Sequence, residues 1–276
     1  MKIQYLGTSA AEGIPAIFCI CNVCQVAREI RGKEIRTRTQ AVIDRTLLLD
    51  FGPDTFLHGL KYDLDYSNIF ACLVTHAHED HLYRHDIICR KKNRALLAEN
   101  TPPLILYGGK GVMKALRPDA YGHITKDGNV QFRLIAAYDQ FTILSYIITP
   151  LPAVHSTEDP FVYAIECGDK SLLYCHDSDI LSESTLNWLH AHNMVFDLVS
   201  LDCTEGKKHI DYSGHMNFER DAQMRNLMMQ KGLVHDGTIF VASHFSHNGL
   251  VNHTEASVLA ETIGFCAAYD GLEFSI

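Results

Sequence analysis

The stretch Thr75-His76-Ala77-His78-Glu79-Asp80-His81 packs three imidazoles and two carboxylates into its last six residues, directly after the apolar run Ala71-Cys72-Leu73-Val74. Histidines that only serve a core occur singly, each bonded to a neighbour. A His-x-His-x-Asp-His cluster at the end of a buried strand is instead the pattern of a metal site, because neutral imidazole and carboxylate suit divalent zinc, manganese and iron. The spacing points to two ions. His76 and His78 converge on one from the strand end and the loop after it; Asp80 and His81, one turn further, point at a second. Two ions about 3.5–4 Å apart clamp the attacking and leaving oxygens of a hydrolysis. Four side chains do not fill two coordination spheres, so the chain must supply further ligands from elsewhere.

A second cluster is Cys19-Ile20-Cys21-Asn22-Val23-Cys24. This spacing lets three thiolates face one ion on a tight loop, and thiolates select zinc. Tetrahedral closure then asks for a fourth ligand from a distant segment. Other candidates stand singly where apolar runs end: Asp50, His155, Asp177 with Asp179, His244 and His247. Asp50 is placed to orient a ligating histidine.

The elements that must position these groups alternate between strand and helix. Met1–Gly7, the run ending at Leu49, Ala71–Val74, Leu104–Gly108, Gln131–Ala137 and Phe141–Thr149 read as strands by their apolar content or alternation. Phe161–Cys167 and Lys170–Tyr174 flank Gly168-Asp169 as a hairpin. Helices are expected at 82–98, 182–192, from a cap at Asn217 to about Gln230, and at 254–264. Strands at 194–202, 238–243 and 272–276 complete the set. Two successive groups of strands flanked by helices indicate an αββα sandwich formed by one domain spanning residues 1–276.

Nucleic acid is disfavoured as a general partner by a formal net charge of −9. Lys33, Arg36, Arg38 and Arg45 read as a solvated segment from which one arginine could reach an anionic substrate. Arg84, Arg90, Lys91, Lys92 and Arg94 read as the solvated face of a helix. No run of about 18 apolar residues is present, so no membrane span is indicated. The start of the chain lacks a signal-peptide pattern. A cytoplasmic location is the default expectation, and the nine cysteines are then expected as thiols or metal ligands. The sequence leaves a homodimer open.

Taken in order, Asp50, the Thr-His-Ala-His-Glu-Asp-His block, His155, Asp177 and His244 resemble the metallo-β-lactamase superfamily over essentially the whole chain. The Leu-Gly-Thr start, the Phe-Cys-x-Cys-x-x-Cys loop, the stretch His244–His247 and the closing Tyr-Asp-Gly-Leu-Glu are similar to the phosphoribosyl cyclic phosphate phosphodiesterases of the carbon–phosphorus lyase pathway. The resemblance implies the four-layer αββα fold. It implies that His76, His78 and His155 hold one ion, that Asp80, His81 and His244 hold the other, and that Asp177 bridges them. Glu79 is not expected to ligate. Cys19, Cys21, Cys24 and His247 would form a structural zinc site. Asp80 and His215 would be catalytic, with His215 protonating the leaving alkoxide. Where relatives have Ser-Asp-Thr this chain has His176-Asp177-Ser178-Asp179, which leaves open whether Asp179 shares the bridge.

The expected activity is hydrolysis of a small cyclic or nucleotide-like phosphodiester. Two divalent ions (manganese or zinc, with iron as a further option) would make a shared hydroxide available for in-line attack on phosphorus. One rival is an RNA-processing nuclease similar to the tRNA 3′-end processing enzyme, which usually carries a basic arm absent here. Acyl hydrolysis is another. A third, a non-catalytic metal-binding protein on the same fold, is opposed by the full set of ligands.

Overall fold

A computed structural model describes residues 1–276. The chain forms two seven-stranded sheets. The first contains β1 (Lys2–Gly7), β2 (Gln40–Ile43), β3 (Leu47–Leu49), β4 (Ala71–Leu73), β5 (Leu104–Gly108) and β6 (Val130–Leu134). The second contains β7 (Phe141–Ile143), β8 (Tyr146–Pro152), β9 (Phe161–Cys167), β10 (Lys170–Cys175), β11 (Phe196–Asp202), β12 (Val234–Ser243) and β13 (Cys266–Ala267). The last strand, β14 (Glu273–Ser275), returns to pair with β1 at the edge of the first sheet.

Seven helices cover the outer faces: α1 (Asn22–Ile30), α2 (Thr55–Tyr62), α3 (Arg84–Ile87), α4 (Lys110–Leu116), α5 (Glu183–Ala191), α6 (Phe218–Gln230) and α7 (His253–Thr262). The order of layers is α/β/β/α, as expected. The unbroken run Leu47-Leu48-Leu49 fits a strand buried on both faces. Leu47 and Leu49 join Tyr163, Leu172 and Leu198 between the sheets, while Leu48 packs outward with Val112 and Leu116 of α4. On the far side α1, α5, α6 and α7 bury Ala27, Leu189, Met224 and Ala260 against the second sheet. Ser182 and Asn217 cap α5 and α6 by accepting the N–H groups of Thr185 and Arg220.

Three sequence expectations need correction. Residues 82–98 form only α3 and a short 3₁₀ turn before an irregular segment. Few of their side chains find a core: Ile87 is buried, but Leu96 is fully exposed. Without a continuous apolar stripe, propensity alone does not hold a helix. Phe141–Thr149 is not one strand but a hairpin turning at Leu144-Ser145, with Leu144 at φ 53°. Arg36 is buried rather than solvated. It donates to Thr8 Oγ1 (2.8 Å) and the Ala268 carbonyl, and Arg38 pairs with Asp54 at 3.1 Å.

Strand register brings the candidate residues to one edge. β3, β4 and β5 are parallel, so the Asp50 N–H bonds to the Leu73 carbonyl (2.8 Å) and that of Phe51 to the His81 carbonyl (2.8 Å). β10, β11 and β12 are also parallel, with Cys175 opposite Leu201 and Asp202 opposite Ser243. Their carboxyl ends, where open α/β sheets gather functional side chains, therefore coincide. Ser9 bridges to Arg38 on one side and Phe245 on the other, joining the sheets at this edge. Gly52 packs so closely under the loop that an added Cβ would lie 2.1 Å from the Asp80 carbonyl oxygen. Gly52→Ala is therefore expected to displace Asp80, costing about 1–3 kcal/mol and lowering metal content. Thermal unfolding and metal analysis both unchanged in that variant would show that the contact does not position Asp80.

Candidate metal centre

Three overlapping groups of side chains that could hold an ion meet at the sheet edge and share Asp177: two that the sequence leads one to expect, and a third made by Asp202, His215 and His244. In the first, His78 Nδ1 lies 2.8 Å from His76 Nε2 and 3.3 Å from His155 Nε2. In the second, His81 Nε2 lies 3.3 Å from Asp80 Oδ2 and 3.3 Å from His244 Nε2. Asp177 Oδ2 sits between the groups, 3.2 Å from His76 Nε2 and 2.9 Å from His81 Nε2. Ligand atoms about 2.1 Å from an ion in tetrahedral or octahedral array are about 3.0–3.4 Å apart, so these spacings suit ligands around two ions. Three of these six contacts join imidazole nitrogens to one another, an arrangement that hydrogen bonding alone would not favour.

The donors are fixed from behind. Asp50 is wholly buried. It accepts from the Thr75 N–H (2.8 Å) and lies 2.8 Å from His81 Nδ1, so His81 Nε2 turns to the centre. Asp202 does the same work from the second sheet. It accepts the N–H groups of Asp177 (3.1 Å), Thr204 (3.0 Å) and Met216 (2.9 Å), and its Oδ2 lies 3.4 Å from His244 Nδ1 and 3.3 Å from His215 Nδ1. Carboxylates that fix the far nitrogen of a ligating histidine set its tautomer and orientation. Sequence reading missed Asp202, although it ends an apolar strand just as Asp50 does. Asp50, Asp177 and His244 all have positive φ, at 66°, 49° and 61°. Such backbone in non-glycine residues costs about 1–3 kcal/mol each and clusters at functional positions.

Charge gives the donor set its second property. Asp50, Asp80, Asp177 and Asp202 are all buried, and the ion pairs they make are with histidines alone. Burial resists protonation of His81 and His244, yet Asp80 and Asp50 beside the first and Asp177 and Asp202 beside the second hold both above the ordinary imidazole range. His76 is pushed down to about 4 by burial, which keeps it neutral with a lone pair to offer. Burial also opposes charge on His215, but Asp202 and Asp177 push it up to about 11. This place demands positive charge. Two divalent ions would bring the four carboxylates to neutrality, and displacing histidine protons would make their binding pH dependent. Asp177 Oδ1 is buried and accepts no well-aligned hydrogen bond, although His215 Nδ1 is 3.2 Å away and His244 Nδ1 3.3 Å. A carboxylate oxygen so placed fits a ligand.

The remaining expected residues are accounted for as follows. Asp179 accepts from Arg220 at 2.7 Å and belongs to none of these groups. His176 is buried between Thr39 and Ser200. Glu79 is exposed. Cys19, Cys21, Cys24 and His247 converge, with His247 Nδ1 3.5 Å from the Cys19 sulfur and 3.6 Å from that of Cys21. Zinc–sulfur and zinc–nitrogen bonds of about 2.3 and 2.1 Å at tetrahedral angles place such atoms about 3.6 Å apart. Cys21 stands at the N-cap position of α1. Arg28 braces the loop by donating to the carbonyls of Cys19, Cys24 and Ala16.

Two outcomes follow from this geometry. Asp177→Ala is expected to lose or scatter ions at both groups, while Asp179→Ala retains them; metal analysis finding two tightly held ions in Asp177→Ala would contradict the shared position. Cys21→Ser is expected to lose the cysteine-bound zinc and lower the melting temperature, and to loosen His244, three residues from His247. Full zinc content with unchanged melting would rule out a structural ion there.

The Beta-lactamase superfamily domain matches residues 45–235. No curated protein matches the chain. Among solved structures, a new diphosphatase from the PhnP family is similar, with a TM-score of 0.75 at 20% identity, over 100% of this chain and 97% of that one. Zinc-bound PqqB from Methylobacterium extorquens gives a TM-score of 0.76 at 19% identity, covering 100% of both chains. Human tRNase Z, short form, gives 0.63 at 16% identity, over 100% of this chain and 99% of the other. At these identities the structures speak for the fold. The family match over most of the chain, together with that fold, shows that this protein belongs to the metallo-β-lactamase superfamily.

Proposed function

We propose that the protein is a dinuclear-metal-dependent phosphodiesterase acting on a small cyclic or nucleotide-like diester, with His76, His78 and His155 holding one ion, Asp80, His81 and His244 the other, and Asp177 shared. The observation that carries the reading is His215. It lines the same cleft as His78, Asp80 and Asp177 and is about a quarter exposed. Its Nδ1 lies against Asp202 and Asp177, and its Nε2 has no protein partner. An imidazole fixed at one nitrogen and open at the other is arranged to deliver a proton.

The ions, when bound, would lower the pKa of a water molecule and offset charge on the phosphoryl oxygens. The chain's own residues supply the rest. Asp50 and Asp202 hold the imidazoles in one orientation, so no reorganisation accompanies reaction. Asp80 completes the second group and faces the cleft. His215 Nε2 gives its proton to the departing alkoxide, which is a poor leaving group without it.

A nuclease reading draws support from the tRNase Z neighbour, but the cleft residues include no lysine or arginine to follow a polyanion. Manganese, zinc and iron are all compatible with imidazole and carboxylate donors. His215→Ala is expected to keep its ions and to lose about 10²–10⁴-fold in turnover of a diester with an alkoxide leaving group. The loss should be far smaller with p-nitrophenolate, which departs without help. Equal losses on the two leaving groups would mean that His215 positions substrate and does not donate a proton.

A further inference from the structure

Beyond the ion-facing side chains, the cleft of about 230 Å³ is lined by Glu12, Thr204, Glu205, Tyr212, Ser246 and Asn248, and by no lysine or arginine. The cations that reach its rim are already engaged. Arg38 donates to the carbonyl of Ala11, a cleft residue, but its charge is paired with Asp54 at 3.1 Å. Arg220 donates to the carbonyls of Tyr212 and His215 and is paired with Asp179 at 2.7 Å. Lys208 lies 3.1 Å from Glu205. The rim therefore offers no free positive charge, and Glu12 is its carboxylate without an ion pair.

One acceptor there is available. Glu12 is exposed and only loosely held, by Ser246 Oγ and Asn248 Nδ2 at 3.4 Å each. The Glu205 carboxylate is already engaged, taking the Tyr212 hydroxyl at Oε1 and lying 3.1 Å from Lys208 Nζ at its buried Oε2. The cleft is also smaller than the roughly 300–1,000 Å³ of typical small-molecule sites.

We infer, on the basis of the phosphodiesterase reading, that this rim selects a diester whose non-reacting part is an uncharged polyol, with hydroxyls donated to Glu12 and accepted from Asn248, and that it rejects a second phosphate. A second phosphate would face Glu12 with no unengaged cation to pair it, and like charges set together discriminate against the wrong ligand. A hydroxyl in the same place makes a charge-assisted hydrogen bond.

The test compares kcat/KM of the metal-loaded protein on ribose 1,2-cyclic phosphate and on the same diester carrying a 5-phosphate. Bis-p-nitrophenyl phosphate and p-nitrophenyl phosphorylcholine serve as further arms. The unphosphorylated ribose diester is expected to lead its 5-phosphorylated partner by about tenfold or more. Glu12→Lys, at an exposed position, is expected to narrow or invert that ratio. Equal or faster turnover of the 5-phosphorylated diester, an unchanged ratio in Glu12→Lys, or a lead for the cationic phosphorylcholine ester would each overturn the polyol assignment. If bis-p-nitrophenyl phosphate is hydrolysed while the ratio fails, the polyol assignment alone falls. If no diester in the set is hydrolysed, the phosphodiesterase reading falls and takes the assignment with it.

Discussion

Four carboxylates buried at one edge of two sheets, without a lysine or arginine beside them, are the constraint around which this molecule is built. Burying even one unpaired carboxylate is costly, and a well-packed apolar core would be the cheaper arrangement. Divalent ions held there would complete the cluster. Asp177, in reach of both imidazole groups, is where that requirement is concentrated.

The fold answers the constraint by topology. Parallel pairing in each sheet brings strand ends into line, so one carboxylate from each sheet braces a candidate ligand from behind, Asp50 behind His81 and Asp202 behind His244, and Asp202 also holds His215. Positive φ at Asp50, Asp177 and His244 turns these side chains toward a common point. Backbone hydrogen bonds hold that conformation, as when the Asp177 N–H donates to Asp202. An ion held by the cysteine cluster would work at longer range, joining the loop after β1 to the turn after β12 and so bracing the loop that carries His244.

Much of this was legible because chemistry and sequence coincide in one block. His76 to His81 lie together, and the strands around them are plain apolar runs. Residues that act alone were harder to see. Asp202 is a single aspartate at the end of a strand, and only the donors that converge on it from residues 177 to 216 reveal its weight. Arg36 looked solvated among neighbouring cations, but the fold encloses it. The helix expected over 82–98 failed for the opposite reason: its cations suggested a solvated face, but no continuous apolar face lies behind them. Charge patterning shows what a segment tolerates in water and is silent about what it packs against.

Anomalous diffraction from crystals of manganese- or zinc-loaded protein addresses the central claim most directly. The account predicts two peaks about 3.5–4 Å apart, one among His76, His78 and His155, the other among Asp80, His81 and His244, with the Asp177 carboxylate between them. A single peak at that edge, or two peaks of which only one touches Asp177, would contradict it.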